Sequence, residues 1–408
     1  MNQKPFCAID IGSFSIKGLV ADINSKKGSV DIVHMAEASS HGVRRGIIFD
    51  VEDAAHAIAG VLSQCEEAAK QEINEVSVGI GGPCLETRFA KGTIIVSRPD
   101  EQIGEDDVRR VQETIHTTPG PQNRTILHVI PRYYCIDEVD RVKTSPVDMQ
   151  GARLSLEATV VDLFTQASLN LSKTFAVVGV QTSVPVANIL AVSKAFISKR
   201  DREQGVAVIE IGAETTSLAV FEDEELLHLA VVPLGSQNIT NDIANALKIH
   251  FDTAERIKIA FGSAIEAKVN RKEEIDLSQF IEGEDEIVSR RHVAEIIEAR
   301  ASEILGFVND ELKKMDRAGK LPAGAYVYGG GSQLPYFTQL MKHELKLSAR
   351  YLTFDQYSRY FDSHIGISYA GVCGLLVWHL DSIMGERRPM GQSGMAGWLK
   401  KFIGNFLP

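Results

Sequence analysis

The sequence predicts an α/β protein in which one strand-rich unit occurs twice and an α+β subdomain is inserted after the first copy. The repeat has an offset of 200 residues, and each copy is an apolar run, an acid, a glycine, small hydroxyl residues and a second apolar run. Near Pro83 the pattern changes to three strand-like runs around one helix, which indicates the insertion. The matched residues are Ile9, Asp10, Ile11, Gly12 and Val20 in the first copy and Ile209, Glu210, Ile211, Gly212 and Val220 in the second.

Each copy of the repeat predicts a buried β-hairpin whose turn lets a ligand approach the backbone. Glycine allows a phosphate close to main-chain N–H groups, and Ser or Thr adds donors. An acid at the strand end can hold Mg²⁺ through water, because this ion keeps much of its hydration shell. One copy alone is equally consistent with an ordinary hairpin, whereas two copies at matching phase indicate a polyphosphate held from both sides.

Composition narrows the class of protein. The 408 residues, 44% hydrophobic and 24% charged, suffice for two or more soluble domains. A net charge of -11 argues against nucleic-acid binding. The five scattered cysteines suggest a reducing cytosol. No signal peptide is expected, because the Phe6 to Ile11 strand begins at once, and the apolar run Ile365 to Leu380 is too short and glycine-rich to span a bilayer.

Further elements follow from hydrophobic periodicity. Helices are expected at Asp53–Gln71, Glu105–Thr117, Val184–Phe196, Arg290–Met315 and Ile365–Trp378, and strands at Glu75–Gly82, Gly92–Ser97, Thr125–Tyr134, Leu154–Val161, Phe175–Val180 and Ala325–Tyr328. Residues 198–203 read as a charged turn, and Asp252 to Glu255 as a capping box. The triple glycine after Tyr328 gives a third place where a nucleotide can lie against backbone.

The C-terminal segment predicts a tethered amphipathic helix. Residues 385–394 form a polar linker, and residues 395–408 place Trp398, Leu399, Phe402, Ile403 and Phe406 on one helical face and Lys400 and Lys401 on the other. From Gly385 onward four basic side chains outweigh one acidic side chain, giving +3. This pattern favours an anionic membrane surface. The alternative is a terminal helix docked on the protein's own core.

The order of these motifs resembles the actin/Hsp70/sugar-kinase ATPases, and their details resemble the FtsA family of bacterial actin-like cell-division proteins over essentially the whole chain. The resemblance implies a duplicated actin-like (ribonuclease H-like) ATPase fold with an inserted α+β subdomain. The implied subdomains are 1A (residues 1–83, 161–198 and 366–384), 1C (84–160), 2A (199–245 and 322–365) and 2B (246–321).

The resemblance also implies site residues for ATP and Mg²⁺. The first phosphate motif is Asp10, Gly12, Ser13 and Lys17, with Asp10 near the metal and Lys17 reaching the phosphates. The second is Glu210, Gly212, Thr215 and Thr216, and Glu210 is the second metal-site acid. The adenosine motif is Gly329, Gly330, Gly331 and Ser332, while Glu255 and Lys258 match the helix that lines the ribose and base.

Several residues depart from the family pattern. Phe14 stands where a small or polar residue is usual, and Glu210 replaces Asp. Ala213 and Glu214 replace two glycines, so a carboxylate there would repel a γ-phosphate unless Mg²⁺ or Lys17 offsets it. The residue expected to orient water falls near Val184, which cannot act as a base, and Ser183 and Asn188 are weak substitutes. Slow or no ATP hydrolysis is therefore expected.

The function implied by the resemblance is a division adaptor. It would polymerise on the inner face of the cytoplasmic membrane, bind anionic lipids through its tail, and recruit the C-terminal peptide of FtsZ through residues 246–321, together with other division proteins and no nucleic acid. Two alternatives stay open: an adaptor of type IV pilus assembly resembling PilM, and a sugar kinase or exopolyphosphatase-like enzyme of the same superfamily.

Overall fold

The computed structural model describes residues 5–24, 29–117, 120–281, 286–355, 361 and 365–387. The first half begins with three antiparallel strands, a short hairpin, a helix and a further strand. These are β1 (Phe6–Ile11), β2 (Ser15–Asn24), β3 (Ser29–Ser39), β4 (Val43–Arg44), β5 (Ile47–Ile48), α1 (Val51–Ala69) and β6 (Glu75–Ile80). Asp50 caps α1 by accepting hydrogen bonds from the first-turn amides of Glu52 and Asp53.

The inserted subdomain is a four-stranded antiparallel sheet with one helix packed on it. It comprises β7 (Leu85–Ile95), α2 (Glu105–Thr117), β8 (Arg124–Ile136), β9 (Asp140–Val142) and β10 (Arg153–Phe164), in the sheet order β7-β10-β8-β9. Val111 and Ile115 of α2 join a separate core with Leu154 and Leu156. The β-α-β-β pattern predicted from the sequence is therefore present, although its first strand begins at Leu85 and not at Gly92.

The chain then returns to the first half and enters the second. The returning elements are α3 (Thr165–Val178), β11 (Gln181–Thr182), β12 (Val186–Ala187), α4 (Asn188–Phe196) and α5 (Lys199–Gln204). The second half comprises β13 (Val206–Ile211), β14 (Thr216–Glu222), β15 (Glu225–Val232), α6 (Ser236–Leu247), α7 (Phe251–Phe261), β16 (Glu274–Asp276), β17 (Ile287–Ser289), α8 (Arg290–Lys314), β18 (Ala325–Tyr328), α9 (Phe337–Leu345) and β19 (Ala349–Tyr351), and α10 (Ala370–Arg387) packs back on the first half.

The two halves have the same sheet topology, which confirms the predicted duplication. In the first half β1 pairs antiparallel with β2 and parallel with β6, and β12 extends the sheet beyond β6. In the second half β13 pairs antiparallel with β14 and parallel with β18, and β19 extends it beyond β18. The register matches as well, because Asp10 lies opposite Lys17 and Glu210 opposite Ser217 in the same position of each hairpin.

Some predicted elements were wrong. The apolar run at Phe175–Val180 lies mostly in α3, which buries Phe175, leaves Val177 exposed and ends at Gly179 in the left-handed region. The supposed charged turn at 198–203 forms α5, whose N-cap is the Ser198 side chain. Helix α7 begins at Phe251 with His250 as its N-cap, so the segment from Asp252 is not a capping box.

Two predicted boundaries also differ from the structure. Helix α4 begins at Asn188, because the preceding Val186 and Ala187 pair with β6 as strand β12. Helix α10 continues to Arg387, past the expected start of the linker at residue 385. The remaining linker residues and the predicted amphipathic helix at 395–408 lie outside the described residues.

Candidate functional site

The turns of the two long hairpins are as tight as the sequence predicts. A side chain at Gly12 would lie 2.8 Å from the Ser15 carbonyl oxygen, and one at Gly212 would lie 3.0 Å from that of Thr215. The Gly212 N–H donates to the Thr215 carbonyl at 2.9 Å, which closes the second turn. Each turn therefore keeps its glycine for steric reasons.

The acids that precede these turns, one from each half, are close enough for the charge of Asp10 to raise the pKa of Glu210. Burial, together with the negative charge of Asp10, raises the pKa of Glu210 to about 7. The Ser217 hydroxyl, which donates to Glu210 at 3.2 Å, acts in the opposite direction. Burial also raises the pKa of Asp10. Tyr328 lies fully buried beside Glu210. Burial and, to a lesser extent, the Glu210 carboxylate hold the pKa of Tyr328 well above its ordinary value.

Asp10 is held from two further elements. The Asn188 amide nitrogen, at the start of α4, donates to Asp10 Oδ1. The Asn188 Oδ1 atom is buried and has no hydrogen-bond partner among the described residues. A side chain at Gly371 of α10 would come within 2.3 Å of Asp10 Oδ2, and one at Gly79 within 1.8 Å of Asn188 Oδ1. From the sequence, Asn188 is expected only as a weak substitute for a water-orienting group, and no signal points to Gly79.

Lys17 has several partners within its own half. Its ammonium donates to the Ser15 hydroxyl at 2.8 Å and lies 3.5 Å from a Glu37 carboxylate oxygen and 5.7 Å from the centre of the Tyr369 ring. The positive charge of Lys17 lowers the pKa values of Asp10 and Glu210, but the opposing effect of burial is larger for both acids. Glu37 and Tyr369 were not predicted, because neither lies near a motif in the sequence.

The electrostatics of Asp10 and Glu210 fit a divalent cation. Two carboxylates whose pKa values are raised by burial, and by repulsion at Glu210, would both be stabilised by a cation between them. No group of three or more His, Cys, Asp or Glu side chains within the described ranges could hold a metal by itself. Asp10 and Glu210 would thus supply two ligands at most, and Mg²⁺ usually completes its shell with water and phosphate oxygens.

The third glycine turn lies against the second hairpin. Gly329 has φ 92°, and a side chain there would lie 2.6 Å from the Ile211 carbonyl oxygen. A side chain at Gly331 would lie 2.8 Å from the Ser236 Cβ atom, whereas Gly330 faces open space. Ser332 is buried and donates to the Gly329 carbonyl at 2.8 Å, so it shapes the turn.

The N-terminus of α6 is already occupied by the second hairpin. The Ser236 N–H donates to the Gly212 carbonyl at 2.9 Å, and the Gln237 N–H donates to the Ala213 carbonyl at 2.7 Å. Thr216 is also turned inward, because its buried hydroxyl donates to the Leu234 carbonyl at 2.9 Å. These contacts fix the hairpin on α6, and Thr215 at the turn stays half-buried.

Glu255 and Lys258 form a buried pair behind this helix start. Their charged atoms lie 2.7 Å apart, and the Lys258 ammonium also donates to the Thr240 hydroxyl at 2.8 Å and to the Ser236 carbonyl at 3.2 Å. Burial lowers the pKa of Lys258. Because Ser236 also contacts Gly331, the pair lies next to the glycine turn and stabilises its surroundings.

A short turn of the first half connects both hairpins. The Gly46 N–H donates to the Ser13 hydroxyl at 2.8 Å, and the Arg45 N–H donates to the Glu214 carboxylate. Glu214 therefore reaches across to the other half. The segment from His41 to Gly46 is recognisable in the sequence as a glycine-bounded turn, but its partners are not.

The structure describes Phe14 but not the residues predicted to bind a membrane. Phe14 projects from the first turn and is 58% exposed. Within the described residues, no helix is both long and apolar enough to cross a membrane. The residues predicted to bind a membrane, Trp398, Leu399, Lys400, Lys401, Phe402, Ile403 and Phe406, lie outside the part of the chain that the structure describes.

Solved structures with this arrangement define the class. The chain resembles the PilM–PilN type IV pilus biogenesis complex with a TM-score of 0.65 and 16% identity, covering 91% of this chain and 98% of that one. It resembles MreB5 of Spiroplasma citri bound to ADP with a TM-score of 0.57 and 12% identity, covering 95% of this chain and 100% of that one. At these identities the likeness concerns the fold alone, and it confirms the predicted actin-like fold.

Sequence relatives define the family within that class. The profile described as cell division protein FtsA matches residues 207–370, and that of the SHS2 domain inserted in FtsA matches residues 86–162. Cell division protein FtsA of Bacillus subtilis is 30% identical over 86% of this chain and 78% of the relative, and that of Streptococcus pneumoniae is 31% identical over 82% and 72%. The chain belongs to the FtsA family of cell division proteins.

Proposed function

We propose that this protein binds ATP with Mg²⁺ between its two halves, polymerises on the cytoplasmic face of the cell membrane at the division site, and tethers FtsZ there. The observation that carries the proposal is the convergence of two matched glycine hairpins and a third glycine turn at one cleft in a chain of the FtsA family. MreB5 of Spiroplasma citri, which has a similar fold, has been solved bound to ADP and to AMPPNP, and this supports nucleotide binding.

Different residues around the cleft would bind the phosphates, the metal and the nucleoside. Backbone around Gly12 and Gly212 would accept phosphates at close range, and Asp10 and Glu210 would hold the metal. Mg²⁺, when bound, would neutralise phosphate and carboxylate charge. Gly330 is the open position of the third turn, where a nucleoside can approach backbone. Slow or no hydrolysis is expected, because Asn188 donates its amide to Asp10 and no basic group stands at Val184.

Recruitment of FtsZ is proposed for the subdomain at residues 246–321. Arg290, Arg291 and Arg300 on α8 are candidate cations for an acidic peptide. In the structure each has a carboxylate partner within the protein: Glu273, Glu266 and, for Arg300, both Asp242 and Glu303. An acidic peptide binding there would have to exchange one of these intramolecular pairs for its own carboxylate.

Membrane attachment is proposed for the segment at 395–408. One short amphipathic helix binds a bilayer weakly and reversibly. Filament formation would make rebinding intramolecular and raise avidity steeply. ATP between the halves would favour the polymer-competent arrangement, so nucleotide and membrane binding should be linked.

The test is co-sedimentation with anionic liposomes of the full chain and of a 1–394 truncation, each with and without Mg-ATP. The full chain should pellet, more so with ATP, and the truncation should stay in the supernatant. A full-length variant with Trp398→Ala and Phe402→Ala should behave like the truncation. Asn405→Ala should not, because the helical pattern places Asn405 on the same face as Lys400 and Lys401. If full chain and truncation both stay in the supernatant, membrane tethering is wrong, and the pilus-adaptor or enzyme alternatives gain support.

A further inference from the structure

The turn between β4 and β5 connects the two phosphate hairpins through successive amides. It is a two-residue loop in which Arg45 has φ 51° and Gly46 has φ 71°. The Gly46 N–H donates to Ser13 in the first hairpin, and the Arg45 N–H donates to the carboxylate of Glu214 in the second. The neighbouring Arg45 and Gly46 amides of one turn therefore donate to residues on opposite sides of the cleft.

The contact of Glu214 spans the halves. The residue lies 169 positions from Arg45 in the sequence and two residues after Gly212, within the turn proposed to receive phosphate. A bond from an amide to a carboxylate is charge-assisted and stronger than one between neutral groups. A phosphate oxygen is the same kind of anionic acceptor, so a terminal phosphate and the Glu214 carboxylate would repel each other and favour the same donors.

We propose that Glu214 is a specificity-determining residue that discriminates between nucleoside di- and triphosphates. Its carboxylate ties the second hairpin to the Arg45 amide when nucleotide is absent and opposes entry of a terminal phosphate, while a diphosphate is affected less because it carries less charge toward this turn. The inference rests on the proposed nucleotide binding. It gives Glu214 a role that a glycine at this position could not perform, because glycine has no side chain to cross the cleft.

The selectivity is tested with Glu214→Gln, which removes the charge and keeps the shape of the side chain. Calorimetric titration with Mg-AMPPNP and with Mg-ADP should give about tenfold tighter binding of the triphosphate analogue, as expected for one removed charge repulsion, and a change below about twofold for ADP. Glu295→Gln on the exposed surface of α8 alters net charge equally and should leave both affinities unchanged. An equal change for both nucleotides, or weaker AMPPNP binding, would overturn the assignment.

The hydrogen bond between the Arg45 N–H and the Glu214 carboxylate, called the Glu214 tie below, is tested without nucleotide. Glu214→Ala removes the acceptor, so hydrogen exchange in the peptide spanning residues 41–49 should become faster than in the unaltered protein, whereas Glu295→Ala should not change it. Unchanged exchange in Glu214→Ala would show that the tie does not exist. If neither the protein nor its variants bind nucleotide, the proposed function and the selectivity role both fail, and the exchange measurement still decides the tie.

Discussion

At the scale of single residues, Glu210 shows how an environment sets a charge. Its pKa of about 7 in the folded protein exceeds the ordinary value of 4.5, because the group is buried and faces Asp10. The folded state therefore keeps a proton that the unfolded state releases between these values. The resulting stabilisation is fully present below pH 4.5 and is lost as pH rises through about 7.

This linkage predicts the pH dependence of Glu210→Gln. Relative to the variant, the unaltered protein should lose unfolding free energy between pH 4.5 and 7, by about 3 kcal/mol at most. The measurement is urea unfolding without nucleotide or Mg²⁺ across this range. Glu295→Gln should give a curve parallel to that of the unaltered protein. A constant difference between the unaltered protein and Glu210→Gln would show that the Glu210 pKa is ordinary.

The glycine turns of the candidate site could be predicted from residue types, because tight turns require glycine. Gly12, Gly212 and Gly329 each leave no room for a side chain. The direction of polar side chains was not readable, since Thr216 turns to the backbone of Leu234. The partner of Glu214 was also hidden, because tertiary structure alone brings residues 169 positions apart together.

At the scale of elements, segments with a clear period were predicted and segments without one were not. Helix α1 follows its apolar face, with Ile58, Val61, Leu62 and Cys65 buried, and its predicted bounds are within two residues of the observed ones. The end of α3 carries apolar residues on both its buried and exposed faces, so its continuous run resembled a strand. Helix α5 buries no residue, and its charged composition resembled a turn.

Helix α10 predicts an unusual effect of a glycine substitution. In a helix interior Gly→Ala ordinarily stabilises by roughly 0.5–1 kcal/mol. At Gly371 the added methyl would meet Asp10 Oδ2 at 2.3 Å, so Gly371→Ala should instead destabilise by about 1–3 kcal/mol, as overpacking does, and weaken Mg-nucleotide binding. Thermal and urea unfolding together with nucleotide titration measure both effects.

The matched control is Gly306→Ala in α8, where nothing lies within 4 Å of an added methyl. This variant should gain stability by the ordinary amount and leave nucleotide binding unchanged. If Gly371→Ala is stabilised as much as Gly306→Ala, then α10 does not pack against Asp10 as closely as the structure indicates.

At the scale of the whole molecule, the inserted subdomain docks on the second half. Its strands contact β15 of the second half, where the Thr159 hydroxyl donates to the Leu226 carbonyl at 3.0 Å. Arg132 on β8 lies 2.8 Å from Glu225, and Lys143 lies 3.0 Å from the same carboxylate. The insertion was predicted from the change of pattern near Pro83, whereas its docking on the second half was not, because no local signal encodes it.

These contacts predict that the insertion restrains the second half through the Arg132–Glu225 pair. Both side chains are largely buried, with 23% and 11% exposed, so their coupling should be about 1–2 kcal/mol in a double-mutant cycle of Arg132→Ala and Glu225→Ala. The quantity to measure is the opening free energy of β15 amides by native-state hydrogen exchange. The exposed pair Arg109–Asp106 on α2 is the control, and its coupling should stay below about 0.5 kcal/mol.

The outcome bears on how nucleotide binding could change the angle between the halves. A coupling of the expected size, with faster exchange at β15 in the single variants, means that the insertion moves together with the second half and that any closure of the cleft must also displace the insertion. A coupling no larger than that of the Arg109–Asp106 control would mean that the Arg132–Glu225 pair does not restrain the second half. In that case the Glu214 tie between the hairpins would be the stronger constraint on cleft closure.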